Sequence, residues 1–280
     1  MGLTFVVLCS LAYISLLFYI AWREDRRAEQ GKSVVRNPYI YALSLAVYCT
    51  AWTFFGSVGR VTTGGMSFLA IYIGPTLMAP LWYFVLRKMV LISKNQRITS
   101  IADFVSARYG KSSVLAVLVT CIAVIGILPY ISIQIRAVTF GITTLTHFGE
   151  APPTGYVSFW LDSGLWVTLA MACFTMIFGT RKLDPSEKHE GLVSAIAFES
   201  IIKLLAFILL GLFVTFGLYN GFGDLFEKAL SQPHTARLFS LQDSGISALS
   251  WNILCLLSLF AIILLPRQFH VAVVENTDPR

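Results

Sequence analysis

Apolar runs of about 20 residues recur along this chain, and they constrain its fold more than any other feature. Crossing a hydrocarbon core of roughly 30 Å in helical form takes about 20 apolar residues. In lipid every backbone N–H and C=O must be paired within the protein, so runs of this kind predict helices. The chain is 56% hydrophobic and 13% charged, against about 25% charged for an ordinary soluble domain. It reads as an all-α polytopic membrane protein.

Seven spans are expected, at about 3–22, 38–59, 68–86, 113–144, 165–178, 191–218 and 246–265. Pro129 falls inside the long fourth span and predicts a kink there. A short surface helix is expected at Asp224–Leu230. Lys and Arg collect in cytoplasmic loops, so their distribution sets the orientation. Arg23, Arg26, Arg27, Lys32 and Arg36 follow the first span, and Arg87, Lys88, Lys94, Arg97, Arg108 and Lys111 follow the third. The loop after the fifth adds Arg181, Lys182 and Lys188. The alternate loops hold Arg60, then none, then Lys228 and Arg237. This asymmetry predicts an outside N-terminus and a cytoplasmic C-terminus. The first span carries its positive charges at its far end, which is the wrong polarity for a cleaved signal peptide.

No P-loop, GxSxG, HExxH or kinase signature occurs, so nothing points to catalysis within these residues. Five cysteines all fall inside apolar spans without metal-ligand spacing and read as small buried hydrophobes. The stretch from Ser44 to Gly65 is different. It carries Tyr48, Thr50, Trp52 and Thr53, then four glycines and Arg60, in the middle of a span. Loosened backbone at membrane depth is tolerated only where it is buried in protein or lines a cavity. The stretch therefore reads as one wall of a small-ligand site.

Charged groups at membrane depth usually face a bundle interior and mark function. Glu199 and Lys203, four residues apart, share one helical face in the order that favours an ion pair. Two readings stand: a self-neutralising structural pair, or a substrate, ion or proton site. Arg136, near Gln134 and Ser132, either snorkels to the outer interface or lines a site. Tyr48 and Tyr130 read as packing or as gate residues. Trp52 lies away from the span ends where tryptophan normally anchors a helix.

The segment from Arg97 to Gly110, RITSIADFVSARYG, resembles the cytoplasmic segment after the second core helix of the sodium:solute symporter family. Thr99, Asp103, Phe104, Arg108, Tyr109 and Gly110 carry that match. Ser44–Gly65 resembles the family's first core helix with Trp52 and Gly56 in register, and Pro266–His270 resembles the segment closing its sixth. Ala197–Leu204 and the ending PRQFHVAVVEN look like the symporter-like sensor domain of CbrA-type histidine kinases.

The resemblance implies a LeuT-type inverted-repeat bundle. Residues 3–22 would be a leading helix, 38–218 the first five-helix repeat, and 246–280 the start of the second. The abrupt ending suggests the N-terminal piece of a longer polypeptide. The backbone carbonyls of Ala46 and Cys49 would face a cation. Thr50, Trp52, Thr53 and Tyr48 would border the solute, and Glu199 would fall near the family's acidic residue on the fifth core helix. Proline-transporting members carry an acidic residue where Tyr48 stands, which points away from tight sodium coupling and toward proton coupling or sensing. No cofactor is implied beyond a coupling ion, Na+ or H+. The implied partners are the lipid bilayer, a small solute such as an amino acid, the remaining helices, and a histidine kinase core with its response regulator; nucleic acid is not among them. The implied location is a bacterial inner membrane. A stand-alone symporter and a purely structural membrane module are the alternative readings.

Overall fold

The computed structural model describes residues 2–32, 34, 37–146, 160, 162–179, 190–241 and 245–276, and among these the chain is helices and turns. Helix α1, Leu3–Glu29, runs seven residues past the expected end at Trp22. Its charged extension continues because Glu24 and Arg27 pair at 3.1 Å and Arg26 stacks over Trp22. Of the loops expected at 147–164 and 181–190, residues 147–159, 161 and 181–189, including Glu150 and the positive residues Arg181, Lys182 and Lys188, lie outside the described residues.

The second expected span is not one helix. It is α2 (Pro38–Ser44), a 3-10 turn (Leu45–Tyr48), an unwound joint at Cys49–Thr50, a π-turn (Trp52–Gly56) and then α3 (Ser57–Gly64). Asn37 caps the start, accepting the Tyr39 N–H at 2.9 Å, and Pro38 at the first helical position needs no N–H partner. The turn expected over Gly59–Ser67 is narrower. Helix persists to Gly64, and the chain leaves the helical path only at Gly65, with φ 52° and ψ −135°.

α4 (Ala70–Met78) follows. The third expected span ends early at a turn over Trp82–Phe84, and a separate α5 (Val85–Gln96) carries the basic residues. Pro75 and Pro80 remove N–H donors from this segment, which loosens its ladder. α6 is Ile101–Arg108, and α7, Ser113–Thr146, contains Pro129 without ending there. α8 (Ser163–Gly179), α9 (Glu190–Leu212, prolonged by a π-turn to Leu218), the surface helix α10 (Phe222–Ser231) and the single turn α11 (Pro233–Ala236) come next. α12 (Ala248–Leu264) breaks at Leu265 into α13 (Pro266–Phe269), with a 47° bend between the two arms.

By length and composition, four helical segments among the described residues can cross a membrane, or up to five if the bent pair is one span. They are Thr4–Glu29, Trp52–Leu81, Ser113–Thr146 and Glu190–Leu218, with Ala248–Val274 as the bent pair. The protein is a multi-pass membrane protein.

Two seams position the site. α4 crosses α12 so closely that a Cβ on Gly74 would strike Ser258, Cys255 and Leu259, and the Ser258 hydroxyl donates to the Ala70 carbonyl at 2.8 Å. α1 meets the start of α9, where the Gly191 N–H donates to the Asp25 carboxylate at 2.7 Å. Small residues at both crossings let the backbones approach, which is how helices associate where lipid removes the hydrophobic drive.

Among the described residues an apolar core gathers where α5, α6 and α13 meet. Phe269, fully buried, packs with Val90, Ile98, Ala272 and Val273, and its ring meets Phe104 edge-on at 5.4 Å. The motif at 97–110 serves this core. Ser100 caps α6 by accepting the Asp103 N–H at 3.1 Å, and the Asp103 carboxylate accepts the Thr99 N–H at 3.3 Å. Gly110, at φ 69°, lets the chain turn from α6 to α7.

Candidate functional site

The unwound joint of the second segment redirects its backbone hydrogen bonds. A continuous α-helix would give the Ala46 carbonyl to Thr50 N–H and the Cys49 carbonyl to Thr53 N–H. Instead the Ala46 carbonyl accepts from Cys49 N–H at 2.8 Å, and Thr53 N–H turns to the Thr50 carbonyl at 2.9 Å. Thr50 N–H finds the Thr53 hydroxyl at 3.1 Å. The Ser57 hydroxyl donates to the Thr53 carbonyl. Extended backbone at Cys49, φ −78° and ψ 108°, leaves its carbonyl free of the helix.

α9 supplies the partner. The Lys203 ammonium donates to the Cys49 carbonyl at 3.1 Å and lies 2.7 Å from the Glu199 carboxylate. The two charged residues expected as a pair therefore do form one, and it is anchored on the broken helix. From α7, the Gln134 amide donates to the Thr50 hydroxyl at 3.3 Å. Ala46, Tyr48, Cys49, Thr50, Trp52, Thr53, Gln134, Glu199 and Lys203 are all half-buried. Trp52 lays its indole over Gly56, where any Cβ would collide with the ring.

Arg136 is not part of this group. It lies two residues beyond Gln134, about 200° around α7, and lines an open groove of about 500 Å³ with Ser132, Thr139 and Asp162.

A second interrupted helix meets the first. Past the bend at Leu265, the Gln268 amide donates to the Leu45 carbonyl at 3.0 Å, and the Tyr41 hydroxyl lies 2.8 Å from the Val271 carbonyl. Arg267 donates to the Tyr130 hydroxyl at 3.1 Å with its guanidinium 5.5 Å from the ring centre. The Tyr48 hydroxyl stands within electrostatic reach of Tyr130, Tyr72 and Arg267. Gln268 is 1% exposed, and its side-chain carbonyl has no hydrogen-bond partner.

Arg267, Gln268 and Tyr72 were not among the sequence-expected site residues. In the sequence Arg267 reads as a charge closing the last span. The signal that could have found it is Pro266, which forces a bend and turns the residues after it back into the bundle.

Chemically the arrangement offers a guanidinium for a carboxylate, hydroxyl and amide groups for hydrogen bonds, and aromatic faces for an apolar side chain. The donors fit a small polar solute. They fit a bare cation poorly at Cys49, whose carbonyl already holds an ammonium. No group of three or more metal-ligating side chains occurs among the described residues.

The chain is similar to curated proteins of Bacillus subtilis (strain 168). It is 24% identical over 242 residues to "Uncharacterized symporter YhjB", covering 84% of this chain and 44% of that protein. It is 34% identical over 110 residues to "Uncharacterized symporter YodF", covering 39% of this chain and 20% of that protein. The chain thus spans less than half the length of these relatives. No solved structure matches it significantly. Residues 31–146, which include the first interrupted helix and the capped α6, match the family model described as Sodium:solute symporter family.

Proposed function

We propose that this chain is the solute-binding portion of a transporter of the sodium:solute symporter family, built as the first repeat and the opening of the second repeat of a LeuT-type inverted-repeat bundle. The observation that supports it most is the meeting of two interrupted membrane helices, at Cys49–Thr50 and Leu265–Pro266, with polar groups gathered at both breaks. Irregular backbone at membrane depth belongs where protein or a solute cavity satisfies it. The solute class is a small carboxylate such as an amino acid. Arg267 takes the carboxylate, Thr50, Thr53 and Gln134 its polar groups, and Trp52 and Tyr48 its side chain. The orientation is N-terminus out and C-terminus cytoplasmic, in a bacterial inner membrane.

The test is binding and uptake of a labelled amino-acid panel by the full-length protein in proteoliposomes. Trp52→Ala and Thr50→Ala should each weaken binding about tenfold, the scale of one lost stacking or hydrogen-bonding group. Arg267→Gln should abolish the preference for an amino acid over its amide. Unchanged binding in all three variants refutes the site.

A second reading is favoured by Ala197–Leu204 and the ending from Pro266, which resemble the sensor branch. In it, solute occupancy is passed to a histidine kinase core and a response regulator. Solute-dependent autophosphorylation of the full-length polypeptide distinguishes this from transport alone.

A further inference from the structure

The carbonyl that a coupling cation would need at the unwound joint already holds a cation. Extended backbone at Cys49 frees its carbonyl from the helix, and the freed oxygen accepts the Lys203 ammonium at 3.1 Å. The same ammonium is 2.7 Å from the Glu199 carboxylate. The Ala46 carbonyl is engaged as well, by the Cys49 N–H at 2.8 Å. Among the described residues, the titratable groups nearest the pair on the neighbouring elements include the Cys49 thiol on the broken helix and Tyr13 of α1. They bring no further cation. A free sodium ion beside Lys203 would meet a like charge a few ångströms away, which disfavours both.

We propose that Lys203 is the resident cation of the broken helix, so that this end of the site holds its shape without sodium. The inference rests on reading the joint as part of a solute site. Glu199 acts as a positioning residue. It holds the ammonium over the joint, one turn of α9 away, and leaves the pair neutral. An ammonium on a flexible four-carbon stem can reach from α9 to the freed carbonyl of the neighbouring helix.

The test reads Cys49 itself in the full-length protein, with every other cysteine, Cys9, Cys121, Cys173 and Cys255 among them, replaced by Ser. The probe is sodium alone, as NaCl against choline chloride, and the readout is the rate of N-ethylmaleimide labelling. With Lys203 present the rate should be the same in both salts. Lys203→Met should speed labelling about three- to tenfold, as expected for loss of an interhelical hydrogen bond, and Lys203→Arg should restrain it again. Sodium protection of Cys49 with Lys203 in place overturns the proposal, and so does a Lys203→Met rate equal to the parent's. If Lys203→Met fails to assemble, the salt comparison on the parent still decides. No solute enters this experiment, so its failure leaves the solute site standing, and absence of solute binding leaves the sodium result standing.

Discussion

Replacing Gly74 with alanine places a methyl group where α4 and α12 cross. The new Cβ would sit 2.5 Å from the Cys255 carbonyl oxygen and 2.6 Å from the Leu259 nitrogen, and closer still to the Ser258 hydroxyl. Two of these three neighbours are backbone, so rotating a side chain cannot relieve the clash. Ordinary contact needs roughly 3.5–4 Å, so the helices must part by about 1 Å. Overpacking of this kind costs about 1–3 kcal/mol. Parting the helices also stretches the 2.8 Å bond from Ser258 to the Ala70 carbonyl beyond reach, a further loss of about 0.6–1.7 kcal/mol. Alanine's better helix propensity returns about 1 kcal/mol, so the net loss is about 1–4 kcal/mol. At roughly 2–4 °C per kcal/mol the unfolding midpoint should fall by about 2–16 °C.

Thermal unfolding in detergent, followed by tryptophan fluorescence, measures it. Gly126→Ala in α7 and Gly211→Ala in α9 are the controls, because a Cβ at either position meets nothing within 4 Å. Both should be neutral or stabilising. Ser258→Gly should rescue Gly74→Ala only in part, since the Cys255 and Leu259 backbone atoms remain. If Gly74→Ala behaves like the two controls, the α4–α12 crossing is wrong.

Gly65→Ala should cost about 1–3 kcal/mol, because its φ of 52° is unfavourable for alanine and the added Cβ meets the Leu238 backbone; a midpoint within 1 °C of the parent would count against this turn. Phe269→Ala should destabilise by about 3–5 kcal/mol, since the ring is fully buried against Val90, Ile98 and Phe104; limited proteolysis between α5 and α6 should speed up accordingly. Asp224 accepts the Asn220 N–H at 3.0 Å and the Lys228 ammonium at 2.9 Å, which hold its carboxyl below the usual aspartate range. Its contribution is complete above the unfolded value of about 3.9 and is lost as pH falls through the lower folded value. Amide exchange in Phe222–Ser231, corrected for intrinsic rates, should therefore be flat between about pH 5 and 8 and rise only in stronger acid. Asp224→Asn should remove that acid step; an acid step that persists in the variant refutes the assignment.

The local pattern of this sequence was enough for its long, uninterrupted helices. α7 spans Ser113–Thr146 where apolar residues alone predicted 113–144, and α10 covers the surface helix expected at Asp224–Leu230. Glu199 and Lys203 were legible as a pair because spacing of four on a helix is a local property. Thr50 and Gln134 were each legible as polar residues in apolar spans, but their meeting was not, since 84 residues separate them.

Tertiary structure alone decided which face of each helix meets which neighbour. In a membrane segment the lipid-facing and the packed faces are both apolar, so hydropathy cannot tell them apart. That is why the crossing at Gly74, the bond from Arg267 to Tyr130, and the ammonium of Lys203 on the Cys49 carbonyl appear only once the chain is folded. The breaks show the same division. Polar residues marked where the second span would loosen, whereas Pro266 read only as the end of the last span. Which groups would then take the freed carbonyls depended on the packing of α9 and α13 around them.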